Sequence, residues 1–313
     1  MKILVTGGAG FIGSHLVEKL VREGHEVSVI DNLSSGKEEN LNSVRKKIIF
    51  HKESINNDIK EILSGTDVVF HLAAIPRVQF SIHNPIESHN ANINGSLNLL
   101  KHCSDLGIKR FIFSSSSSVY GDQESLPLKE TMEPNPMSPY ALQKLTIEHY
   151  SRLFYKIYGL KTISLRYFNV YGPRQDKESN YSNLIPKFIG LIQKNEQPKI
   201  HGDGNQTRDF THVEDVVSAN QAAMASNSQK IFGEAFNIGA GNRVSVNEVA
   251  ENIISLLNSK IKPVHVDPVI EPKHTLADVS KAKTMLDWQP KTNINEGLKK
   301  TVNYFKSLKN NNS

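Results

Sequence analysis

The stretch ILVTGGAGFIG, residues 3–13, decides the fold of this chain of 313 residues. Its leading apolar residues have the composition of a buried strand, and a glycine-rich turn follows at once. Apolar residues then recur at helical spacing from Phe11 to Val21, and Gly24 is placed to end that helix. A glycine-rich turn between a strand and a helix is typical of a phosphate-binding loop, because the helix N-terminus directs backbone N–H groups toward the anion.

Each glycine of this loop has a separate expected task. Gly7 permits the tight turn, Gly10 lets a pyrophosphate approach the backbone, and Gly13 lets the helix pack closely on the sheet.

Asp31 ends the next strand-like run, 18 residues beyond Gly13. A carboxylate there accepts hydrogen bonds from adenosine ribose hydroxyls and repels a 2′-phosphate, and no Arg or Lys follows at once, so we expect NAD rather than NADP. The alternative is that Asp31 only begins the turn over residues 31–36.

Strand-like runs alternate with helix-like runs in the first half of the chain. After the first strand, these runs cover residues 27–30, 47–50, 67–72, 110–114 and 161–166. Continuous apolar strands between helices are typical of a parallel sheet that is covered on both faces. We therefore predict an α/β fold: a Rossmann-type doubly wound parallel sheet with a smaller α/β substrate lobe.

The regular alternation of strand-like and helix-like runs ends beyond the last of these strands, where Pro and Gly become frequent and the predicted elements are shorter. A helix predicted over residues 211–227 returns to the first lobe. We predict a cofactor-binding domain formed by residues 1–166 and about 211–236. The remaining residues, 167–210 and about 237–313, are predicted to form the substrate-binding lobe.

Composition excludes several classes of protein. Hydrophobic residues make up 38% and charged residues 22%, which fits a globular protein rather than a fibrous or disordered one. The net charge of +5 is spread along the chain, so we expect no nucleic-acid partner. No apolar run approaches the roughly 18 residues of a membrane span, and no secretory leader is recognised, so we expect a cytoplasmic location without membrane attachment. Cys103 is the single cysteine, which excludes an internal disulfide; the histidines show no metal-ligand spacing, and no metal is expected.

A candidate catalytic helix begins near Ser138. Ser138 is placed as the N-cap and Pro139 as the first helical residue, and Tyr140 and Lys144 then share one helix face at i and i+4. An ammonium near a phenol stabilises the phenolate, and oxidised nicotinamide adds positive charge, so the tyrosine pKa is expected to fall far enough for general-base catalysis. The alternative is that such a pair is only helix surface.

A serine run, FSSSSSVYG at residues 113–121, follows the strand before this helix. Serine runs are more often flexible linkers. Here a strand precedes the run and Val119, Tyr120 and Gly121 end it, which argues against a linker. In a parallel sheet this position is the carboxyl edge, where ligands bind.

Together, the glycine loop, the serine run and the Tyr140–Lys144 pair resemble the extended short-chain dehydrogenase/reductase family over nearly the whole chain. Residues 31–36, 166–175 and 202–210 further resemble its UDP-hexose 4-epimerase branch, which includes enzymes that act on UDP-N-acetylglucosamine. The resemblance implies an NAD-dependent isomerase that interconverts gluco- and galacto-configured UDP-sugars through a 4-keto intermediate. It also implies tightly bound NAD, regenerated in each turnover, and a homodimer. The family forms a two-fold helical bundle where amphipathic helices are predicted here, over about residues 91–106 and 139–158.

The resemblance carries specific roles to specific residues. It assigns Tyr140 as the base, Lys144 as its activator and ribose anchor, and Ser116 as the group that binds the sugar 4-oxygen. The implied cofactor contacts are Gly7, Gly10, Phe11, Ile12, Gly13, Asp31, Asn32, Ser35, Gly36, Ser54, Ile55, Leu72, Ala73, Ala74, Asn92, Ser114, Tyr140, Lys144, Phe168 and Val170. The implied substrate contacts are Arg77, Ser116, Ser118, Tyr140, Asn169, Asn183, Leu184, Lys199, His201, Arg208 and Thr275.

The serine run separates the possible reactions within this family. Related dehydratases carry an Asp-Glu pair at the positions of Ser117 and Ser118, and related decarboxylases typically carry a glutamate at that of Ser118. Serines favour epimerisation, which needs one hydroxyl oriented and one proton relayed. A reductase, dehydratase or decarboxylase remains the enzymatic alternative, and a non-catalytic NAD-sensing protein is the alternative of another class. The presence of Ser116, Tyr140 and Lys144 argues against a sensor.

Four features of the sequence bear on ligand binding. Thr275 lies where a tyrosine restricts some family members to UDP-glucose and UDP-galactose, so a smaller residue leaves room for a 2-acetamido group; the alternative is that Thr275 packs between the lobes. The family's second pyrophosphate arginine is missing from residues 268–271, where Lys199, Lys262 or Lys273 could supply a point charge. Arg208 is the expected first ligand of the substrate pyrophosphate; the alternative is that it forms a surface ion pair with Asp209. Ser54 lies near the expected adenine position, where the family often has an aspartate.

Overall fold

Strands and helices alternate along the chain in the computed structural model, which describes residues 1–177, 183–268 and 272–310. The strands are β1 Lys2–Thr6, β2 Glu26–Ile30, β3 Ile48–His51, β4 Val68–His71, β5 Arg110–Ser116, β6 Thr162–Tyr167, β7 Lys199–His201, β8 Thr207–Arg208, β9 Glu234–Ile238, β10 Val244–Ser245 and β11 Val264–Val266. The α-helices are α1 Phe11–Arg22, α2 Lys60–Leu63, α3 Val78–His83, α4 Pro85–His89, α5 Gly95–Asp105, α6 Pro139–Tyr158, α7 Leu184–Gln193, α8 Val213–Ala225, α9 Val246–Leu256, α10 Ser280–Leu286 and α11 Ile294–Asn310. Short 3₁₀ turns cover Glu38–Leu41, Arg45–Lys47, Ser117–Tyr120 and Gln229–Ile231.

The main sheet is parallel throughout and has seven strands among the described residues, in the order β3-β2-β1-β4-β5-β6-β9. The order reverses between β1 and β4, and in such sheets a ligand-binding crevice opens at the carboxyl ends of the strands at that point. The predicted doubly wound α/β fold is confirmed. No helix in the described part of the chain is long and apolar enough to span a bilayer.

Helices cover both faces of the sheet. One face packs against α1, α8 and α10, and its core includes Val5, Leu16 and Phe236. The opposite face packs against α5 and α6, and its core includes Leu99 and Phe113. This two-sided burial explains the apolar runs within the strands.

The second lobe has its own apolar core under two small sheets. β7 pairs with β11 in parallel, and β8 pairs with β10 antiparallel. Helices α7, α9 and α11 enclose side chains that include Ile189, Ile253 and Leu298. The predicted 236/237 boundary falls within β9, the edge strand of the main sheet, and α10 packs against β9 and α8. The exact division between the lobes stays a prediction.

Local sequence sets the ends of the helix that carries Tyr140. The Ser138 hydroxyl caps α6 by accepting the Ala141 N–H at 3.2 Å, Pro139 fills the first position, and Gly159 ends the helix in the left-handed conformation. The predicted helix over residues 139–158 is therefore confirmed.

The helix predicted over residues 91–106 differs in its first turn. Residues Asn90–Asn94 form a wide π-helical turn, and α5 follows. The Asn92 side chain binds the backbone of Ile75 and the Gln143 amide, which ties this turn to the wall of the crevice. A π-type turn of this kind is frequent next to functional sites.

Candidate active site

A cleft of about 1990 Å³ opens at the carboxyl edge of the main sheet. The loops after β1, β2, β4, β5 and β6 line one side of it, and residues from α7, β7 and β8 line the other. The cleft is large enough for a dinucleotide and a second ligand side by side, since typical small-molecule sites occupy roughly 300–1,000 Å³.

The glycine loop has room for backbone but not for side chains. Gly7 adopts a φ of +69°, and its carbonyl oxygen accepts the Gly10 N–H at 3.1 Å. A Cβ atom at Gly13 would lie 2.1 Å from that same oxygen, and one at Gly7 would lie 2.6 Å from the Ala73 nitrogen. Helix α1 begins at Phe11 with its N-terminus at the cleft. This cradle fits a pyrophosphate on the helix dipole.

Asp31 does two things at the end of β2. Its carboxylate accepts the Leu33 N–H at 2.8 Å, which begins the turn, and the Ala9 N–H at 2.9 Å, which fastens the glycine loop. Burial raises the pKa of this carboxyl. A Cβ atom at Gly36 would lie 2.8 Å from the carboxylate, so the turn passes close against it. Asp31 also lines the cleft, where its remaining lone pairs can accept ribose hydroxyls.

The end of β5 and the first turns of α6 bring hydroxyl, phenol and amine together. The Ser116 hydroxyl accepts hydrogen bonds from the Ser118 hydroxyl at 2.9 Å and the Ser118 N–H at 3.2 Å. The Tyr140 phenol lies near the Ser116 hydroxyl, which acts to lower its pKa. Lys144 donates its Nζ to the Ser114 carbonyl at 2.7 Å, with Nζ 5.8 Å from the centre of the Tyr140 ring. All five residues border the cleft.

The charges at Tyr140 and Lys144 differ from the sequence-based expectation. Burial raises the pKa of Tyr140 to about 12, and the nearby Ser116 hydroxyl opposes that rise. Burial lowers the pKa of Lys144 to about 7, and the negative charge of Glu148 opposes that fall. Among the protein groups by themselves, Lys144 does not offset this rise, and the lowering of the Tyr140 pKa expected with oxidised NAD bound stays a prediction. Desolvation dominates, because both side chains are buried and the lysine donates to a carbonyl rather than to the phenol.

Asn169 and Thr275 meet across the cleft. The Asn169 amide donates to the Thr275 hydroxyl at 3.4 Å, and the Thr275 N–H donates to the Thr207 carbonyl at 3.1 Å. Asn169 adopts a φ of +28°, a strained value for a residue other than glycine. Thr275 therefore borders the ligand space beside Asn169, and both sequence-based interpretations of it stay predictions.

Arg208 lies on β8 with its guanidinium donating to the Thr207 carbonyl at 3.0 Å and the Lys273 carbonyl at 3.2 Å. Asp209 points the other way, and its buried carboxylate accepts backbone N–H groups from Ala240, Gly241 and Ala277 at 2.6–3.0 Å. The ion pair between Arg208 and Asp209 is wrong as an alternative, because the two side chains have separate partners.

The family can now be stated from sequence comparison. A model of the NAD dependent epimerase/dehydratase family matches residues 3–239. This chain belongs to that family. Its cofactor is NAD, as the glycine loop and Asp31 predict, and it is an enzyme of the nucleotide-sugar epimerase and decarboxylase superfamily.

Relatives of this family member span almost the whole chain. A putative UDP-glucose 4-epimerase of Methanocaldococcus jannaschii is 39% identical over 97% of this chain and 98% of its own. A UDP-N-acetyl-alpha-D-glucosaminuronate decarboxylase of Bacillus cytotoxicus is 38% identical over 99% of each. A solved UDP-N-acetylglucosamine 4-epimerase of Methanobrevibacter ruminantium, in complex with UDP-N-acetylmuramic acid, is 41% identical, covers 98% of each chain and has a TM-score of 0.94.

Most residues expected to contact ligands in this epimerase/dehydratase fold line the one cleft. The expected cofactor residues found there are Gly7, Gly10, Phe11, Ile12, Gly13, Asp31, Asn32, Ser35, Ser54, Ile55, Leu72, Ala73, Ala74, Ser114, Tyr140, Lys144 and Val170. The expected substrate residues found there are Arg77, Ser116, Ser118, Tyr140, Asn169, Asn183, Leu184, Lys199, His201, Arg208 and Thr275. Their individual ligand contacts stay predictions.

Three of the expected cofactor residues lie behind the cleft wall. Gly36 lies against Asp31, and Asn92 is held by hydrogen bonds to Ile75 and Gln143. Phe168 is fully buried. These residues shape the wall from behind. Residues 269–271, within the stretch that has no second pyrophosphate arginine, lie outside the described residues.

The sequence analysis missed the buried polar groups directly behind the site. His71 ends β4 and lies 2.8 Å from the Thr6 hydroxyl and 2.7 Å from the Ser96 hydroxyl, and burial lowers its pKa to about 3. Glu148, one helical turn beyond Lys144, pairs with Arg166 of β6. The i+4 spacing from Lys144 was the available signal for Glu148; His71 had none beyond its place at a strand end.

Proposed function

We propose that this protein is an NAD-dependent UDP-hexose 4-epimerase that interconverts gluco- and galacto-configured UDP-sugars. One observation carries the proposal: the strand end beside Tyr140 presents the hydroxyls of Ser116 and Ser118 and no carboxylate. Related dehydratases and decarboxylases carry a carboxyl group at this position, and general acid–base catalysis by that group suits elimination. Orientation of one hydroxyl and transfer of one proton need only a phenol and a serine.

The roles of the side chains follow from their positions. Bound NAD supplies a hydride acceptor and returns the hydride. Tyr140 takes the proton from the sugar 4-hydroxyl and returns it, with Ser116 holding the same oxygen. Lys144 contributes positive charge beside the phenol, which in the loaded site opposes the effect of burial on its pKa. Rotation of the 4-keto sugar about its pyrophosphate link then exposes the opposite face, while Arg208 holds the pyrophosphate as a charge-assisted donor.

The first experiment separates epimerisation from the alternatives. Purified protein is incubated separately with UDP-glucose, UDP-N-acetylglucosamine and UDP-glucuronate, and the products are identified by proton NMR. Galacto-configured products from a neutral sugar support the proposal. A pentose product from UDP-glucuronate would instead establish decarboxylation, the activity named for the Bacillus cytotoxicus relative. Retention of NAD without any product would favour the sensor.

Tyr140→Phe tests the assignment of the base. The variant keeps the buried ring and loses the phenolic oxygen, so we expect turnover to fall at least about 10³-fold while NAD remains bound. Turnover within about tenfold of the unmodified protein would refute Tyr140 as the base. NAD content after purification is the control for folding.

We also propose that the site accepts 2-acetamido sugars. Thr275 faces the cleft and is held by Asn169 and Thr207, so its short side chain leaves space that a tyrosine ring would fill. Thr275→Tyr should lower turnover of UDP-N-acetylglucosamine by at least about tenfold and spare UDP-glucose. Thr275→Ser is the matched control, since it keeps the hydroxyl. Equal losses on both sugars in Thr275→Tyr would contradict the proposal.

We propose a homodimer built on α6. Leu142, Leu153 and Ile157 form an exposed apolar stripe on this helix at 55%, 47% and 65% exposure, and Ile86 on the adjoining α4 is 77% exposed. Isolated exposed apolar residues are ordinary, but a stripe along a helix favours burial against a partner. Light scattering should give twice the chain mass, and Leu153→Glu should shift it toward the monomer. A monomer at micromolar concentration would overturn the dimer.

A further inference from the structure

Glu148 joins three elements behind the proposed site. It lies on α6 and is 8% exposed. Its Oε1 accepts the Ser115 hydroxyl at 2.5 Å, and its two carboxylate oxygens accept the Arg166 Nε at 2.9 Å and the Nη2 at 2.7 Å. Ser115 belongs to β5 and Arg166 to β6. One carboxylate therefore fixes the helix that carries Tyr140 and Lys144 against two strands of the sheet.

These contacts lie next to the residues that hold Lys144 and Tyr140 in position. Ser115 lies between Ser114, whose carbonyl receives the Lys144 ammonium, and Ser116, the hydroxyl beside Tyr140. Residues at i and i+4 share a helix face, so Glu148 directs its charge along the face that carries Lys144. A shift of α6 along β5 would change the hydrogen bond of Lys144 and the approach of Tyr140 to Ser116 together.

Among the titratable groups around Lys144, Glu148 is the one whose negative charge favours the protonated ammonium. The titratable groups on the neighbouring elements are Tyr140 and Glu148 on α6, His71 on β4, Arg166 and Tyr167 on β6, Tyr120 after β5, and Glu130 behind Tyr120. Burial holds the pKa of His71 near 3 and those of Tyr140, Tyr120 and Tyr167 near 12, and it raises that of Glu130. Lys144, with a pKa of about 7, titrates near neutral pH, and the negative charge of Glu148 opposes its loss of the proton.

We propose that Glu148 is a positioning residue of the catalytic helix, which holds α6 in register with β5 and β6 and supplies the negative charge that Lys144 faces. This inference rests on the proposed function of Tyr140 and Lys144. Glu148 itself is one turn away from the reacting atoms and acts through Lys144. Arg166 completes the arrangement, because a lone buried carboxylate would otherwise protonate rather than keep its charge.

The pH profile of kcat separates this role from a purely structural one. Glu148→Gln keeps the shape of the side chain and removes the charge. Lys144 then loses its proton at lower pH, so the alkaline limb of the profile should move down by about 1 pH unit, beyond any general loss of activity. A structural defect alone lowers kcat at every pH and leaves the limb in place.

Two further variants make the test decisive. Ser151→Ala alters a buried side chain on the same helix whose hydroxyl has no partner among the described residues, so it should leave the limb unmoved. Should Glu148→Gln fail to fold because Arg166 is left unpaired, Glu148→Gln combined with Arg166→Met removes both charges, and the limb should still move to lower pH.

Three outcomes decide between the claims. A shifted limb in the charge-neutral variants, with Ser151→Ala unshifted, supports the role of Glu148. An unshifted limb in a folded Glu148→Gln or in the double variant, with Tyr140→Phe inactive, overturns that role alone. An active Tyr140→Phe overturns the proposed function instead, whatever Glu148 does.

Discussion

Gly13→Ala adds one methyl group at the closest contact in the glycine loop. The new Cβ would lie 2.1 Å from the Gly7 carbonyl oxygen and 2.8 Å from the Gly8 Cα. Both atoms belong to the backbone, so no flexible side chain can move aside. The loop must withdraw from α1 by about 1 Å to restore an ordinary van der Waals distance.

The displacement has two measurable costs. Overpacking of this kind destabilises a fold by about 1–3 kcal/mol. The same shift moves the N–H groups that face the pyrophosphate, and loss of one hydrogen bond to a charged group is worth about 1.5–3 kcal/mol. We therefore expect the Kd for NAD to rise at least about tenfold, measured by isothermal titration calorimetry on protein freed of its cofactor.

Gly190→Ala is the matched control. Gly190 lies inside α7, where a Cβ would meet its nearest neighbour, the Lys177 Cβ, at an ordinary 3.5 Å. Alanine favours a helix over glycine, so this variant should match or exceed the unmodified protein in thermal stability by up to about 1 kcal/mol. If Gly13→Ala binds NAD as tightly as Gly190→Ala does, the close approach at Gly13 is not what shapes the pyrophosphate site.

Two predictions concern stability. Asp209→Asn should lower the free energy of unfolding in urea by about 1–3 kcal/mol. In the unmodified protein the buried carboxylate accepts hydrogen bonds from three backbone N–H groups, and in the variant the amide N–H₂ faces at least one of these donors and leaves it unpaired. Unchanged stability would contradict this. Burial lowers the pKa of His15 from 6.5 to about 4, and its Nε2 donates to the Pro173 carbonyl. The unfolded chain therefore takes up this proton first on acidification, so stability falls between pH 6.5 and 4 by at most about 3 kcal/mol. His15→Gln should flatten that fall, and an equally steep curve in the variant would show that other groups cause it.

Elements with strong local signals could be predicted from the sequence. Helix α6 begins at Pro139 and ends at Tyr158 because Ser138 caps one end and Gly159 ends the other. Six of the seven strands of the main sheet contain apolar runs that stand out in the sequence. The seventh, β9, was not predicted, because its five residues include Glu234 and Asn237. The strands of the second lobe have two or three residues each, too few to show any periodicity.

The charge state of the site could not be predicted, because it depends on burial. The spacing of Tyr140 and Lys144 correctly indicates a shared face, yet it contains no information on desolvation, which sets the direction of both pKa shifts. Glu148 and Arg166 meet only because β5 and β6 pair in a register that places Ser115 opposite Arg166. That register is a property of the assembled sheet.

Buried polar contacts directly behind the strand ends hold the loops that line the site in position. Where parallel strands stop, the loops lose their ladder partners, and contacts between side chains hold the chain in place instead. His71 links the hydroxyls of Thr6 and Ser96 behind the glycine loop, and Glu148 links Ser115 to Arg166 behind the serine run. Each lies next to residues that face the cleft, so a substitution there changes ligand geometry and costs stability. We therefore expect loss of a hydroxyl that faces the cleft, as in Tyr140→Phe, to lower turnover alone, whereas loss of the His71 or Glu148 side chain lowers turnover and stability together.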